Sequence, residues 1–191
     1  HLPIAADVTG FFEANPEDVC ERSLEEWRSV GVNFLSLGLQ SFDDDELRRL
    51  GRRHNGQQAR DALRRALSVG FETVSVDLMF GLPGQMVASW ESTLSSLESL
   101  RPEHVSCYQL TIHEGTTFHR WRERGKLSEL AEERQAELFA VTHARLPKLG
   151  LHAYEVSNFA SSARHRSVHN QKYWKHAPYL GLGPSAHSFD G

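Results

Sequence analysis

Cysteine is scarce: the 191 residues contain only two, Cys20 and Cys107. Two thiols so far apart do not build the disulfide framework of a small secreted domain. They point to a reducing compartment, and the cytoplasm is the expected location. Long apolar runs are also missing. No stretch approaches the roughly 20 residues needed to cross a bilayer, so no stable membrane insertion is expected. Residues His1 to Asp7 lack a basic start followed by an apolar stretch, so no secretory signal is read there. No initiating Met opens the chain, and we read it as a piece of a longer protein. Neither sign of charge dominates. The formal net charge is -4, and the basic cluster of Arg48, Arg49, Arg52 and Arg53 is local. Nucleic acid and anionic membrane are therefore not expected as partners. Low-complexity linkers and charge blocks are absent, and 39% hydrophobic content excludes disorder. A single domain over 1–191 is expected.

Five segments read as strands: Val8 to Phe12, Phe34 to Gln40, Thr73 to Phe80, His104 to Ile112, and His152 to Phe159. Helical patterns lie between them. Leu24 and Trp27 share a face behind Ser23 and Glu26, a capping-box spelling. Asp43 and Glu46 repeat that spelling before Leu47 and Leu50. Ala59, Ala62, Leu63, Ala66 and Leu67 form a stripe stopped by Gly70. Val87, Trp90, Leu94 and Leu97 form another. A charged helix is expected from about Leu130 to Leu149. The stretch Ala160 to Lys175 reads as irregular and polar. Alternating strands and helices predict parallel strands with helical crossovers, in either a barrel or an open sheet.

Two strands carry an unusual face. Side chains alternate along a strand, so Leu35, Leu37 and Leu39 oppose Ser36, Gly38 and Gln40. In the same way Val74, Val76 and Leu78 oppose Ser75 and Asp77. A barrel interior is normally filled with bulky branched residues. Small polar side chains leave room, and a buried carboxylate needs a partner. A ligand in the lumen supplies both. The competing reading is an Asp77–Arg pair that only holds the barrel together. Glu13, read as just after the first strand, fits the same rule that sites gather at strand C-terminal ends. Gly81-Leu82-Pro83-Gly84 is a turn signal, either a plain βα loop or a place where backbone approaches a ligand.

Several runs can be read together: Phe12-Glu13-Ala14-Asn15-Pro16, Leu35 to Phe42, Leu50-Gly51-Arg52, Val76 to Gln85, Tyr154 to Ala160, His169-Asn170-Gln171-Lys172-Tyr173-Trp174, and Tyr179 to Ser188. In number, order and spacing this series resembles the oxygen-independent coproporphyrinogen III oxidase family, and within it the branch of HemW-type haem chaperones. The resemblance runs from about Asp7 to Gly191. It implies an α/β fold, a partial TIM-like (βα) barrel of the radical S-adenosylmethionine (SAM) type, with N-terminal strands and a small C-terminal domain lying outside this chain. It implies SAM contacts at Glu13, Gln40, Arg52, Asp77 and Thr111, within a SAM-binding part of about 8–112. Arg52 would take the cofactor's carboxylate and Asp77 its ribose hydroxyls. Both chemistries suit the side chains: a guanidinium fork donates two parallel bonds, and an ionised carboxylate accepts from neighbouring hydroxyls.

Radical SAM enzymes hold a [4Fe–4S] cluster through a C-x3-C-x2-C run. No such run occurs here; Cys107 reads as a core residue and Cys20 as incidental. The resemblance places the cluster cysteines upstream, so no metal ligand is expected in this chain, and the fragment alone is expected to be inactive. The run His169 to Trp174 fits the spelling H-N-x-x-Y-W that marks the HemW branch, where it is implicated in haem binding. This makes His169, Tyr173 and Trp174 candidate haem contacts in a region of about 152–191. Imidazole is a common axial ligand, and Tyr and Trp offer flat apolar surface with a polar tip. His165 and His176 are read as ordinary histidines.

Three functions follow. The first is a haem chaperone that binds haem, carries SAM and a cluster, and delivers haem to an acceptor protein. The second is an oxygen-independent coproporphyrinogen III dehydrogenase, an oxidoreductase using a 5′-deoxyadenosyl radical to decarboxylate propionates. The third is an α/β barrel with another ligand, its motifs serving structure.

Overall fold

The computed structural model describes residues 8–191, and the calls on His1 to Asp7 lie outside them. Six strands form one sheet in the order β1-β2-β3-β4-β6-β5. They are β1 (Gly10–Ala14), β2 (Val32–Gln40), β3 (Thr73–Phe80), β4 (His104–Gln109), β5 (His152–Ala153) and β6 (Asn158–Ala160). The first four pair in parallel. Helical crossovers join them: α1 (Glu21–Ser29) leads to β2, α2 (Asp44–Arg49) and α3 (Gly56–Val69) to β3, and α4 (Val87–Leu100) to β4. After β4 come α5 (Thr117–Glu123), α6 (Glu132–Arg145) and, beyond β6, α7 (Val168–Trp174).

The alternation read from the sequence decides what each face does. Leu35, Leu37, Leu39, Val74, Val76 and Leu78 are buried with Leu24 of α1, Ala59, Ala62, Leu63 and Ala66 of α3, Trp90, Leu94 and Leu97 of α4, and Leu138 of α6. Each fully buried Leu or Val contributes about 1.5–3 kcal/mol of hydrophobic stabilisation. The Trp90 indole N–H donates to Thr142 Oγ1 at 2.8 Å, which lets α6 lie on α4 without an orphaned polar atom. All these helices cover one face of the sheet. The other face carries Ser36, Ser75, Asp77, His104 and Ser106, the arrangement of a barrel wall rather than of an open sheet covered on both sides.

Several expectations are corrected. β1 begins and ends two residues later than predicted, so Glu13 lies within the strand, paired in register with Ser36. The segment His152–Phe159 is not one parallel strand. It bends into β5 and β6, and β6 runs antiparallel to both β4 and β5. Ser23 is not the start of α1: Cys20 is the N-cap, its Sγ accepting from Ser23 N–H while Ser23 Oγ accepts from Cys20 N–H. The helix expected to reach Leu149 stops at Arg145, and a 3-10 turn containing Pro147 follows, because proline cannot continue the hydrogen-bond ladder. The stretch read as irregular contains a 3-10 turn at Ala163–His165 and helix α7, started by Ser167, whose hydroxyl accepts from Asn170 N–H. Gly70 ends α3 as expected, in the left-handed conformation at φ 85°.

Candidate functional site

Glu13, Ser36, Asp77 and Ser106 come from four adjacent parallel strands and meet on the polar face. Glu13 lies in register with Ser36, and Asp77 with Ser106. Ser36 Oγ donates to Asp77 Oδ2 at 3.1 Å. Among the described residues no cation pairs with Asp77, so the reading of a structural Asp77–Arg pair does not hold. Burial pushes the Asp77 carboxyl up to about 6, against the pull of the Ser106 and Ser36 hydroxyls, and the nearby Glu13 charge adds to the rise. This is an acceptor short of donors, held where few are supplied by the protein.

At the C-terminal ends of β1 and β2 a second group converges. β2 carries an extra residue opposite β3: Leu37 pairs with Val76, whereas Gln40 pairs with Leu78. Gln40 takes up the distortion in the left-handed region at φ 67°, unusual for a residue with a side chain. Its amide is thereby turned back over Gly38. A Cβ at Gly38 would meet Gln40 Nε2 at 3.3 Å and Arg52 Nη2 at 3.5 Å, so glycine keeps this corner open. Arg52 is presented by a short loop after α2, braced on both sides. Its own N–H donates to Leu47 O at 2.9 Å, and the buried His54 bridges Leu39 O and Glu17. Arg52 Nη2 donates to Asn15 Oδ1 at 2.7 Å and to Gly38 O at 2.8 Å. Its Nε is buried, with no hydrogen-bond partner among the described residues. A buried guanidinium N–H left unpaired is expensive, and an anionic group in the lumen would relieve it.

Thr111 is not brought to this place. β4 ends at Gln109, and Thr111 is exposed in the loop beyond. The Gly81–Gly84 turn is also closed to ligands at its start: Gly81 N–H and Leu82 N–H both donate to Gln85 Oε1. Gln85 in turn donates to the buried Glu46, which also accepts from Ser41 and Ser89. Glu46, read as a capping residue, is the buried peg that fixes this loop to α2.

The second candidate region lies on α7. His169 and Tyr173 are one turn apart, with ring centroids separated by 5.0 Å. The His169 ring stacks on Phe11 of β1 at 5.1 Å, and Tyr173 meets Tyr179 edge-on at 4.8 Å. Trp174 points elsewhere, toward Tyr154, 6.1 Å away. His169, Tyr173, Tyr179, Leu180, Leu182 and His187 line a cavity of about 680 Å³. Leu180 and Leu182 are each 69% exposed, a large apolar exposure for neighbouring side chains. Among the described residues neither nitrogen of His169 has a hydrogen-bond partner. His165 differs: it is buried between Thr73 Oγ1 and Arg164 Nε, as an ordinary structural histidine.

Tyr154, to which the sequence reading gave no individual role, holds α7 in place. Tyr154 OH accepts from Ser167 N–H at 3.0 Å and bonds His104 Nε2 at 2.8 Å, while His104 Nδ1 contacts Ser75 Oγ at 2.7 Å. Burial holds His104 down at about 3, hence neutral. The signal was available: His104, Ser106 and Tyr108 alternate along β4 as Ser75 and Asp77 do along β3.

Comparison with known proteins gives this geometry a context. Residues 5–97 match the family model described as the radical SAM superfamily. That match marks a radical SAM domain in this chain. It is 38% identical over 191 residues to the heme chaperone HemW of Bacillus subtilis, covering 100% of this chain and 50% of that protein. It is 43% identical over 187 residues to the mitochondrial radical S-adenosyl methionine domain-containing protein 1 of Bos taurus, covering 98% of this chain and 42% of that protein. The chain thus spans about half the length of the curated relatives it matches. The coproporphyrinogen III oxidase HemN of Escherichia coli, a radical SAM enzyme, superposes with a TM-score of 0.78 at 24% identity, over 97% of this chain and 45% of that one. That likeness concerns the fold, a radical SAM α/β barrel of which this chain forms part.

The residues fit SAM: an unpaired Arg52 N–H, a donor-poor Asp77 and a glycine-kept corner stand on one face. They do not fit an iron–sulfur cluster. Among the described residues no three His, Cys, Asp or Glu side chains gather to hold a metal, and both cysteines are free, Cys20 exposed and Cys107 buried. Among the described residues no helix is long and apolar enough to cross a membrane.

Proposed function

We propose that this chain is the SAM- and haem-binding part of a HemW-type haem chaperone, which takes up haem at α7 and passes it to an acceptor protein in the cytoplasm. The carrying observation is His169, an exposed imidazole with both nitrogens uncommitted among the described residues, stacked on Phe11 beside Tyr173 on the wall of the cavity of about 680 Å³. Neutral imidazole ligates haem iron, and the surrounding aromatic and leucine side chains suit the flat apolar face of a porphyrin. In this reading Arg52 holds the SAM carboxylate, Asp77 accepts from the ribose hydroxyls, and Gln40 and Glu13 flank the methionine end. Thr111 would take part only through its backbone. SAM supplies radical chemistry where a cluster held elsewhere in the full-length protein cleaves it. The coproporphyrinogen III dehydrogenase alternative has only the likeness of fold behind it.

The test is a haem titration of the full-length, cluster-reconstituted protein, followed by Soret absorbance. Saturable binding weakened at least tenfold by His169→Ala is expected. Binding indifferent to that substitution would return His169 to an ordinary surface role, and decarboxylation of coproporphyrinogen would become the activity to assay.

A further inference from the structure

The two candidate sites are connected through the polar face of the sheet. Ser106 faces Asp77 across the β3–β4 ladder, and its hydroxyl donates to Asn158 Oδ1 at 2.9 Å. Asn158 is buried in β6. Its amide orientation is decided by Glu155, an acceptor only, which takes a bond from Asn158 Nδ2 at 2.6 Å. The oxygen is thereby turned toward Ser106 and toward α7, where Asn170 Nδ2 donates to it at 3.5 Å. Asn170 is the neighbour of His169 in the chain. The Tyr108 hydroxyl stands beside both Ser106 and Asn158.

A serine hydroxyl has one proton to give. Asp77 and Asn158 compete for the proton of Ser106. When Asp77 is ionised and receives only the Ser36 hydroxyl, the charged acceptor makes the stronger claim. When ribose hydroxyls satisfy Asp77, the proton is free for Asn158, and the oxygen that Glu155 already turns toward α7 gains a second anchor. We propose that Ser106 and Asn158 are positioning residues that transmit occupancy of the Asp77 pocket to the haem-binding helix, so that an adenosyl ligand and haem bind with positive coupling. This rests on the function proposed above. A gained hydrogen bond of ordinary strength corresponds to roughly threefold to tenfold in affinity, and the coupling is reciprocal.

The experiment titrates haem into full-length, cluster-reconstituted protein with and without saturating S-adenosylhomocysteine, a probe that is not cleaved. Wild type should bind haem about threefold to tenfold more tightly with the probe present. Ser106→Ala should bring that ratio close to one, and Ser106→Thr, which keeps the hydroxyl, should restore it. A variant that merely loosens the fold weakens both titrations alike and leaves the ratio unchanged. A wild-type ratio of one, or a ratio that survives Ser106→Ala, overturns the coupling while haem and probe binding still stand. Absence of haem binding altogether overturns both the coupling and the function it rests on.

Discussion

Replacing Asp77 with Asn separates what this carboxylate does for stability from what it does for binding. Burial raises its pKa to about 6, from an ordinary 3.8. At about 1.4 kcal/mol per pKa unit the gap corresponds to about 3 kcal/mol. Because the folded pKa lies above the unfolded one, the native state holds the proton longer. The stabilisation is complete below about 3.8 and is lost as pH rises through about 6. Asn is neutral at every pH and still accepts from Ser36, so the variant loses nothing on this account. Relative to wild type it should gain up to about 3 kcal/mol between pH 4 and pH 7.5. His104 works in the opposite direction. Held at about 3 against an ordinary 6.5, it contributes in full above 6.5 and less as pH falls. It is common to both proteins, and the difference between their curves isolates Asp77. The assay is urea unfolding of the ligand-free, full-length protein at half-unit steps from pH 4 to pH 8. Calorimetry on the same variant should show SAM affinity falling by roughly tenfold to a hundredfold, as two hydrogen bonds to an ionised acceptor weaken. A stability difference that stays level across that range, or shrinks as pH rises, would show that Asp77 is not the desolvated acceptor described here.

Arg52→Lys keeps the charge but not the fork. SAM affinity should drop by about tenfold or more, and calorimetry showing unchanged binding would remove Arg52 from the site. Tyr154→Phe strips the partner from Ser167 N–H and His104 Nε2, which should lower stability by about 1–3 kcal/mol and weaken haem binding through a looser α7. Chemical denaturation and Soret titration check the two effects. Glu46→Ala strands the donors of Ser41, Gln85 and Ser89 in a buried site. A loss of about 2–4 kcal/mol is expected from denaturation midpoints, and a change below about 0.5 kcal/mol would contradict the role of Glu46 as the peg of the Gly81–Gly84 loop.

Local patterning alone determined much of this protein. The period-two alternation of β2 and β3 named both the packed leucine and valine face and the polar face carrying Ser36 and Asp77, because burial of one sheet face constrains every second residue. The Ala-Leu stripe before Gly70 and the stripe through Trp90 marked α3 and α4 for the same reason, at helical period. The motif series gave the family, which the comparisons bear out. Other features depended on partners distant in sequence. Nothing local says that β6 turns antiparallel to lie beside β4, since a short apolar strand pairs either way until its neighbours are known. Nor does any local signal place His169 against Phe11, orphan Arg52 Nε, or carry Ser106 to Asn158. Those contacts join residues dozens of positions apart, and only the closed packing of strands, loop and α7 decides them.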